Sequence, residues 1–235
     1  MVTVISTYII LEYWKVEQQG FSCSDDSIRF RYQESTVSWL MVQYYNIGLL
    51  LVTVGTVEVA RIRRDSRIDY RIGYFEVPTV FVNFFKYLAY ALLGYILNDT
   101  FARYVKVFTA RLRPHFIDIC FGGSDPCINN TNLVITDYQC IGDSISVEEA
   151  RKSYYSLESA SSMYCTFWCI LYIQIRLKPV FELISVVSIA QTMLVGVALF
   201  ISSTQLTTNQ HHISDIVTGM LVGAIFAIIN VISFF

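Results

Sequence analysis

Long apolar runs constrain this chain more than any other feature, because crossing roughly 30 Å of hydrocarbon takes about 20 mostly apolar residues in a helix. Residues 37–59, about 87–108, about 159–177, about 181–202 and 213–235 reach that length or nearly so. A sixth run, 1–14, covers only about 21 Å at 1.5 Å per residue. It has no basic leading region and no small-residue cleavage site, so it reads as a short span and not as a signal peptide. Hydrophobic residues make up 54% of the chain, with 16 Phe and 16 Tyr suited to lipid and headgroup depth. No internal repeat, low-complexity tract or Pro/Gly-rich linker interrupts the pattern. The sequence therefore predicts an all-α integral membrane bundle of six transmembrane helices, the first one short, in a single domain over 1–235.

Charge sets an expected topology. Arg61, Arg63, Arg64, Arg67 and Arg71 crowd one loop, which the positive-inside rule makes cytoplasmic. The segment from about 113 to 156 carries Asp118, Asp125, Asp137, Asp143, Glu148 and Glu149, so it is expected outside or in a lumen. Asn129-Asn130-Thr131 lies in that segment and is a glycosylation sequon, which needs the same side. Of six cysteines, Cys165 and Cys169 sit in an apolar run and read as packing residues. Cys127 and Cys140 flank the sequon and are the expected disulfide, with Cys120 the competitor. No His/Cys/carboxylate cluster has metal-ligand spacing. The net charge of −2 points to no particular partner, and no nucleic acid is expected.

Three groups of residues carry the chemistry. Lys106 stands seven residues before Arg113-Pro114, Tyr155-Ser156-Leu157-Glu158 opens a later apolar run, and His211 stands four before Asp215. Taken singly each has a bland reading: basic residues snorkel to headgroups, and a His-Asp pair at a membrane edge makes a structural hydrogen bond. Asp99, Arg103 and Lys106 also fall on one helix face, and charges at membrane depth usually face a bundle interior or a watery cavity.

Together these groups resemble the three signature motifs of the type 2 phosphatidic acid phosphatase superfamily, in particular its animal lipid phosphate phosphatase branch. Gly20-Phe21, Cys23, Asp26-Ser27-Ile28 and Ser162-Met163-Tyr164-Cys165 extend the resemblance along most of the chain. It implies that Lys106, Arg113 and Ser156 bind a substrate phosphate, that His211 is the nucleophile forming a phosphohistidine, and that Asp215 orients its imidazole. Between the two adjacent histidines, His211 is preferred because it alone stands four residues from Asp215. No cofactor is implied. The implied substrates are phospholipid or sphingolipid phosphates, such as phosphatidate, lysophosphatidate or sphingosine 1-phosphate. They would be met on the outer or lumenal side of a membrane, the plasma membrane by expectation, by a protein that is free to form homo- or hetero-oligomers with related phosphatases.

Besides Thr204, which stands where relatives have Ser, three positions that bear on the chemistry depart from the family pattern. Leu157 and Glu158 replace the Gly-His that follows Ser156 in relatives, and Gln205 replaces an Arg. The missing His is the leaving group's proton donor, and an anionic Glu158 repels phosphate. The missing Arg is a permanent cation with a bidentate fork. The sequence thus implies lipid phosphate phosphatase chemistry with impaired hydrolysis. The alternative is an inactive pseudophosphatase that binds lipid phosphates or pairs with active relatives.

Overall fold

A computed structural model describes residues 7, 10–11, 14–62, 69–72, 75–128, 133–177 and 184–235. Most of the short first run, Arg63, Arg64, Arg67 and the sequon at Asn129 lie outside these residues. Seven α-helices run through the described residues: α1 Trp39–Ile62, α2 Thr79–Thr109, α3 Phe116–Phe121, α4 Ser144–Ala150, α5 Leu157–Arg176, α6 Ile184–Thr207 and α7 Ile213–Phe234. A 3-10 turn at Asp26–Ile28 and two antiparallel pairs complete the described elements, β1 (Phe21–Ser22) with β4 (Val134–Ile135) and β2 (Asp69–Ile72) with β3 (Phe75–Pro78).

Four helices, α1, α2, α6 and α7, contain stretches long and apolar enough to cross a membrane, and the chain is an integral membrane protein. The helix α5 covers the expected 159–177 run but is less apolar. Its buried Ser159, Ser161, Ser162 and Thr166 lower its hydropathy. The second expected span starts earlier than its hydropathy suggested, directly after Pro78, which cannot donate into a helix but suits its entrance. Lys86, directly before the expected start at 87, is inside α2, with Nζ 5.4 Å and 5.9 Å from the ring centroids of Tyr87 and Tyr90.

The chain divides into two compact units, each with its own core. The first comprises Met1–Ser38, Asp99–Leu157 and Ile201–Gly219. Its core gathers Phe21, Ile28, Phe116, Ile117 and Tyr138. Phe21 meets Phe116 and Tyr138 edge-on at 5.9 and 5.3 Å. Gln18 Nε2 donates to the Tyr138 carbonyl at 3.1 Å, and the Tyr138 hydroxyl donates to the Gln19 carbonyl at 2.9 Å.

Two disulfides join this core, Cys23–Cys127 and Cys120–Cys140. They replace the expected Cys127–Cys140 pairing. The cause is local: pairing of β1 with β4, and the Cys23 amide donating to the Leu133 carbonyl at 2.8 Å, carry Cys23 into the loop. The Ile141 amide donates to the Cys120 carbonyl at 2.9 Å, which sets Cys140 beside Cys120.

The second unit comprises Trp39–Asn98, Glu158–Phe200 and Met220–Phe235. Trp168, Tyr164 and Tyr172 of α5 are fully buried in its core. Hydrocarbon offers no partner to a polar group, so these groups bond within the unit. Trp168 Nε1 donates to Asn230 Oδ1 at 2.9 Å, and the Tyr164 hydroxyl donates to the Ala91 carbonyl at 2.8 Å. Small residues let the backbones meet: a Cβ at Gly94 would overlap the Tyr164 hydroxyl, and one at Gly223 the Ala160 carbonyl. Glu58, only 2% exposed, receives Arg176 Nε and Nη2 at 2.9 and 3.0 Å and the Tyr172 hydroxyl at 2.7 Å.

Candidate functional site

Two loops of the first unit begin at residues in the left-handed conformation. Ala110 (φ 46°) follows α2 and turns the chain into Arg111-Leu112-Arg113, and Asn209 (φ 54°) follows α6 and leads into His211-His212. Asparagine adopts this conformation more readily than alanine does. The third contributor is the segment 152–156, just before α5.

These three segments meet at Asp215, which is fully buried in the first turn of α7. Arg111 Nη1 lies 2.6 Å from Asp215 Oδ1, and Ser153 Oγ donates to Oδ2 at 2.6 Å. The His212 amide donates to the same Oδ2 at 3.1 Å, and His212 Nδ1 is 3.2 Å from it. His211 Nδ1 stands 3.8 Å away. The Ser156 amide donates to the main-chain carbonyl of Asp215 at 3.1 Å. Both histidines thus face the carboxylate, and His212 is the nearer. The expected four-residue helical relation between His211 and Asp215 does not apply, because α7 begins at Ile213 and both histidines precede it.

The expected phosphate-binding cations lie in the same unit. Lys106 is buried, and its Nζ donates to the Lys152 carbonyl at 3.0 Å. Arg113 Nη1 donates to Gln210 Oε1 at 3.1 Å, beside His211 in sequence, and Nη2 lies 3.4 Å from Glu149 Oε2. On the stripe of α2, Asp99 and Arg103 pair with each other at 2.8 Å. The three departing positions take different places. Gln205 is buried, its carbonyl accepts the amides of Gln210 and His211 at 3.0 and 3.3 Å, and its Nε2 donates to Ser35 Oγ at 3.4 Å. Leu157 is buried at the start of α5. Glu158 is in the first turn of α5 and belongs to the second unit.

The sequence reading missed Arg111, Ser153, His115 and the part played by His212. Arg111 was visible only as a basic neighbour of Arg113. His115 is 3% exposed, with Nδ1 2.8 Å from the Asn209 carbonyl and the Tyr32 ring edge-on at 5.1 Å. Burial first, then the Arg113 guanidinium, lower its pKa to about 4, against the opposing pull of the Asn209 carbonyl. The ring is neutral near neutral pH, and it braces the turn that carries His211.

The fold and the site together define a helical integral membrane protein in which basic, seryl and histidyl groups from separate segments surround one buried carboxylate. The PAP2 superfamily profile matches residues 84–235, and the chain belongs to that superfamily. It is 38% identical over 227 residues to phospholipid phosphatase homolog 1.2 homolog of Caenorhabditis elegans, covering 94% of this chain and 67% of that protein. It is 31% identical over 220 residues to human phospholipid phosphatase 2, covering 91% and 72%. Rat phospholipid phosphatase 1 is 28% identical over 215 residues, covering 92% and 74%. No solved structure matches the chain.

Proposed function

We propose that the chain binds the phosphate of lipid phosphomonoesters, of the phosphatidate, lysophosphatidate and sphingosine 1-phosphate class, and hydrolyses them slowly through a phosphohistidine on His211. The observation that carries this reading is the convergence of three separate segments on Asp215. Lys106 and Arg113 supply charge for a phosphate dianion, the Ser156 segment supplies hydrogen-bond donors, and Asp215 supports the charge an imidazole acquires on attack. Membership of a superfamily whose relatives are named phospholipid phosphatases supports the substrate class.

Impairment follows from what replaces the usual groups. Losing a general acid costs about 10²–10⁴ in rate, and losing one preorganised donor about 10²–10³. Leu157, Glu158 and Gln205 mark both losses. An inactive pseudophosphatase that holds lipid phosphates, or pairs with active relatives, is the second reading. It is favoured by Gln205, whose neutral amide is hydrogen-bonded to Ser35.

The remaining architecture is proposed with it: one domain over 1–235, six spans with the 1–14 run as the first, and the site facing outside or a lumen at the plasma membrane. The two disulfides support that side, since such bonds persist in oxidising compartments. The deciding experiment assays the purified protein against several radiolabelled lipid phosphates beside an active relative. Turnover far below that relative is expected. Leu157→Gly, Glu158→His and Gln205→Arg together should raise it, and His211→Ala in that background should abolish it. Full wild-type activity, or a repaired protein that works without His211, refutes the assignment.

A further inference from the structure

A cavity of about 510 Å³ opens in the first unit, and its wall includes Asp25, Ser27, Arg111, Tyr154 and His212. His212 is held on Asp215 at one end and reaches the cavity wall at the other. Its amide and Nδ1 both engage Asp215 Oδ2, at 3.1 and 3.2 Å, while Nε2 faces Ser27 Oγ on the cavity wall at 3.4 Å. A ring anchored through one nitrogen on a buried carboxylate, with the other reaching a hydroxyl on a cavity wall, can move a proton. His211 is 1% exposed and does not line this cavity.

An alkyl phosphate cannot release its alcohol as a bare alkoxide without great cost, so the cavity must offer a proton if the leaving group sits there. Among the lining groups the choice is narrow. The Asp25 carboxylate is engaged as an acceptor by the Ser27 amide at 3.0 Å. The Tyr154 phenol donates to Thr218 Oγ1 at 3.4 Å, and Arg111 keeps its protons. The imidazole is left.

We propose that His212 supplies the residual acid and base chemistry of the site where Glu158 stands in place of the family's proton-donating histidine, acting less efficiently than that histidine on an alcohol leaving group held in this cavity. The inference rests on the phosphatase reading above. In the first half-reaction His211 Nε2 attacks phosphorus, the P–O ester bond breaks, and its electron pair stays on the alcohol oxygen, which takes the proton from His212 Nε2. In the second half-reaction water attacks phosphorus and gives its proton to His212 Nε2, while the P–N electron pair returns to His211. Asp215 balances the positive charge on each ring in turn. The polar wall suits a hydroxyl-bearing alcohol, such as a glycerol or sphingoid headgroup region, more than a bare acyl chain.

Leaving-group dependence tests the role. Lysophosphatidate expels an acylglycerol alkoxide that needs a proton, whereas p-nitrophenyl phosphate expels a stabilised phenolate that hardly does. His212→Asn and His212→Gln are expected to lower the ratio of lysophosphatidate to p-nitrophenyl phosphate turnover by about 10² or more. Equal loss on both esters, or no loss on lysophosphatidate, overturns the proposal. Should both variants fail to fold, the wild-type protein decides alone across a series of aryl and alkyl phosphates. A shallow dependence on leaving-group pKa is expected; a steep one, or a Glu158→Gln variant that steepens it, overturns the role of His212. Wild-type cleavage of the aryl ester alone overturns His212 while leaving phosphohydrolysis standing. Cleavage of neither ester overturns the phosphatase reading and the proposal with it.

Discussion

His115 should make the first unit acid-labile in a way that one substitution removes. Its side chain is buried, and burial, then Arg113, lower its pKa from 6.5 to about 4. The unfolded chain therefore binds a proton at this position at a higher pH than the folded protein does. Stability from the neutral ring is fully present above the unfolded value and is lost as pH falls from about 6.5 toward about 4. The whole shift corresponds to about 3 kcal/mol, of which about 2 kcal/mol is gone by about pH 5. For a chain of this size that is a fall in Tm of roughly 4–8 °C. Other carboxylates titrate in the same range, so the measurement is a difference. His115→Asn keeps an N–H for the Asn209 carbonyl and removes the titration. Thermal unfolding in detergent micelles, followed from about pH 7 to about pH 5, should show the wild type losing that much more than the variant. Parallel curves would refute the buried, neutral ring.

Three further outcomes are expected. Ala110→Gly should stabilise the protein by about 1 kcal/mol, because a left-handed alanine costs roughly 1–2 kcal/mol and glycine gives part of this back in unfolded-state freedom; thermal unfolding of the two proteins checks it. Arg176→Met strands the buried Glu58 carboxylate and should destabilise by about 3–5 kcal/mol, while Glu58→Gln added to it should recover a large part, read from unfolding of the single and double variants. Cys23→Ser should leave Cys127 open to alkylation with Cys120–Cys140 still joined in non-reducing peptide maps; a Cys127–Cys140 peptide from the wild type would contradict both bonds.

The sequence made α1, α6 and α7 legible because their apolar runs are long and lightly interrupted. It misjudged the start of α2 because Lys86 counts as a boundary in hydropathy but not beside two tyrosine rings. It also reads α5 as a span, and the buried serines and threonine of that helix are what lower its hydropathy. Of the candidate site the sequence offered types and spacings, and Lys106, Arg113, Ser156, His211 and Asp215 all fall in one unit. Spacing could not reveal that Arg111 and Ser153 hold Asp215, for their approach depends on the turn at Ala110 and on the path of residues 152–156. Helical spacing also favoured His211 over His212 on a rule that holds only within a helix. The disulfides escaped for a similar reason: a strand pair formed across more than a hundred residues leaves no local trace.

The Cys23–Cys127 bond has a consequence for how the protein is made. Its partners are separated by 104 residues, which a ribosome adds in about 5–20 s. Throughout that interval Cys23 is an open thiol, while the segments that become α1 and α2 are still being synthesised. The first unit needs Asp99–Leu157 and then Ile201–Gly219, so the carboxylate that gathers the site is among the last residues to reach it. Quality control therefore meets an open Cys23 thiol for a little under half of the chain's synthesis, and a chain that stalls before Cys127 would be marked for removal by that unpaired thiol.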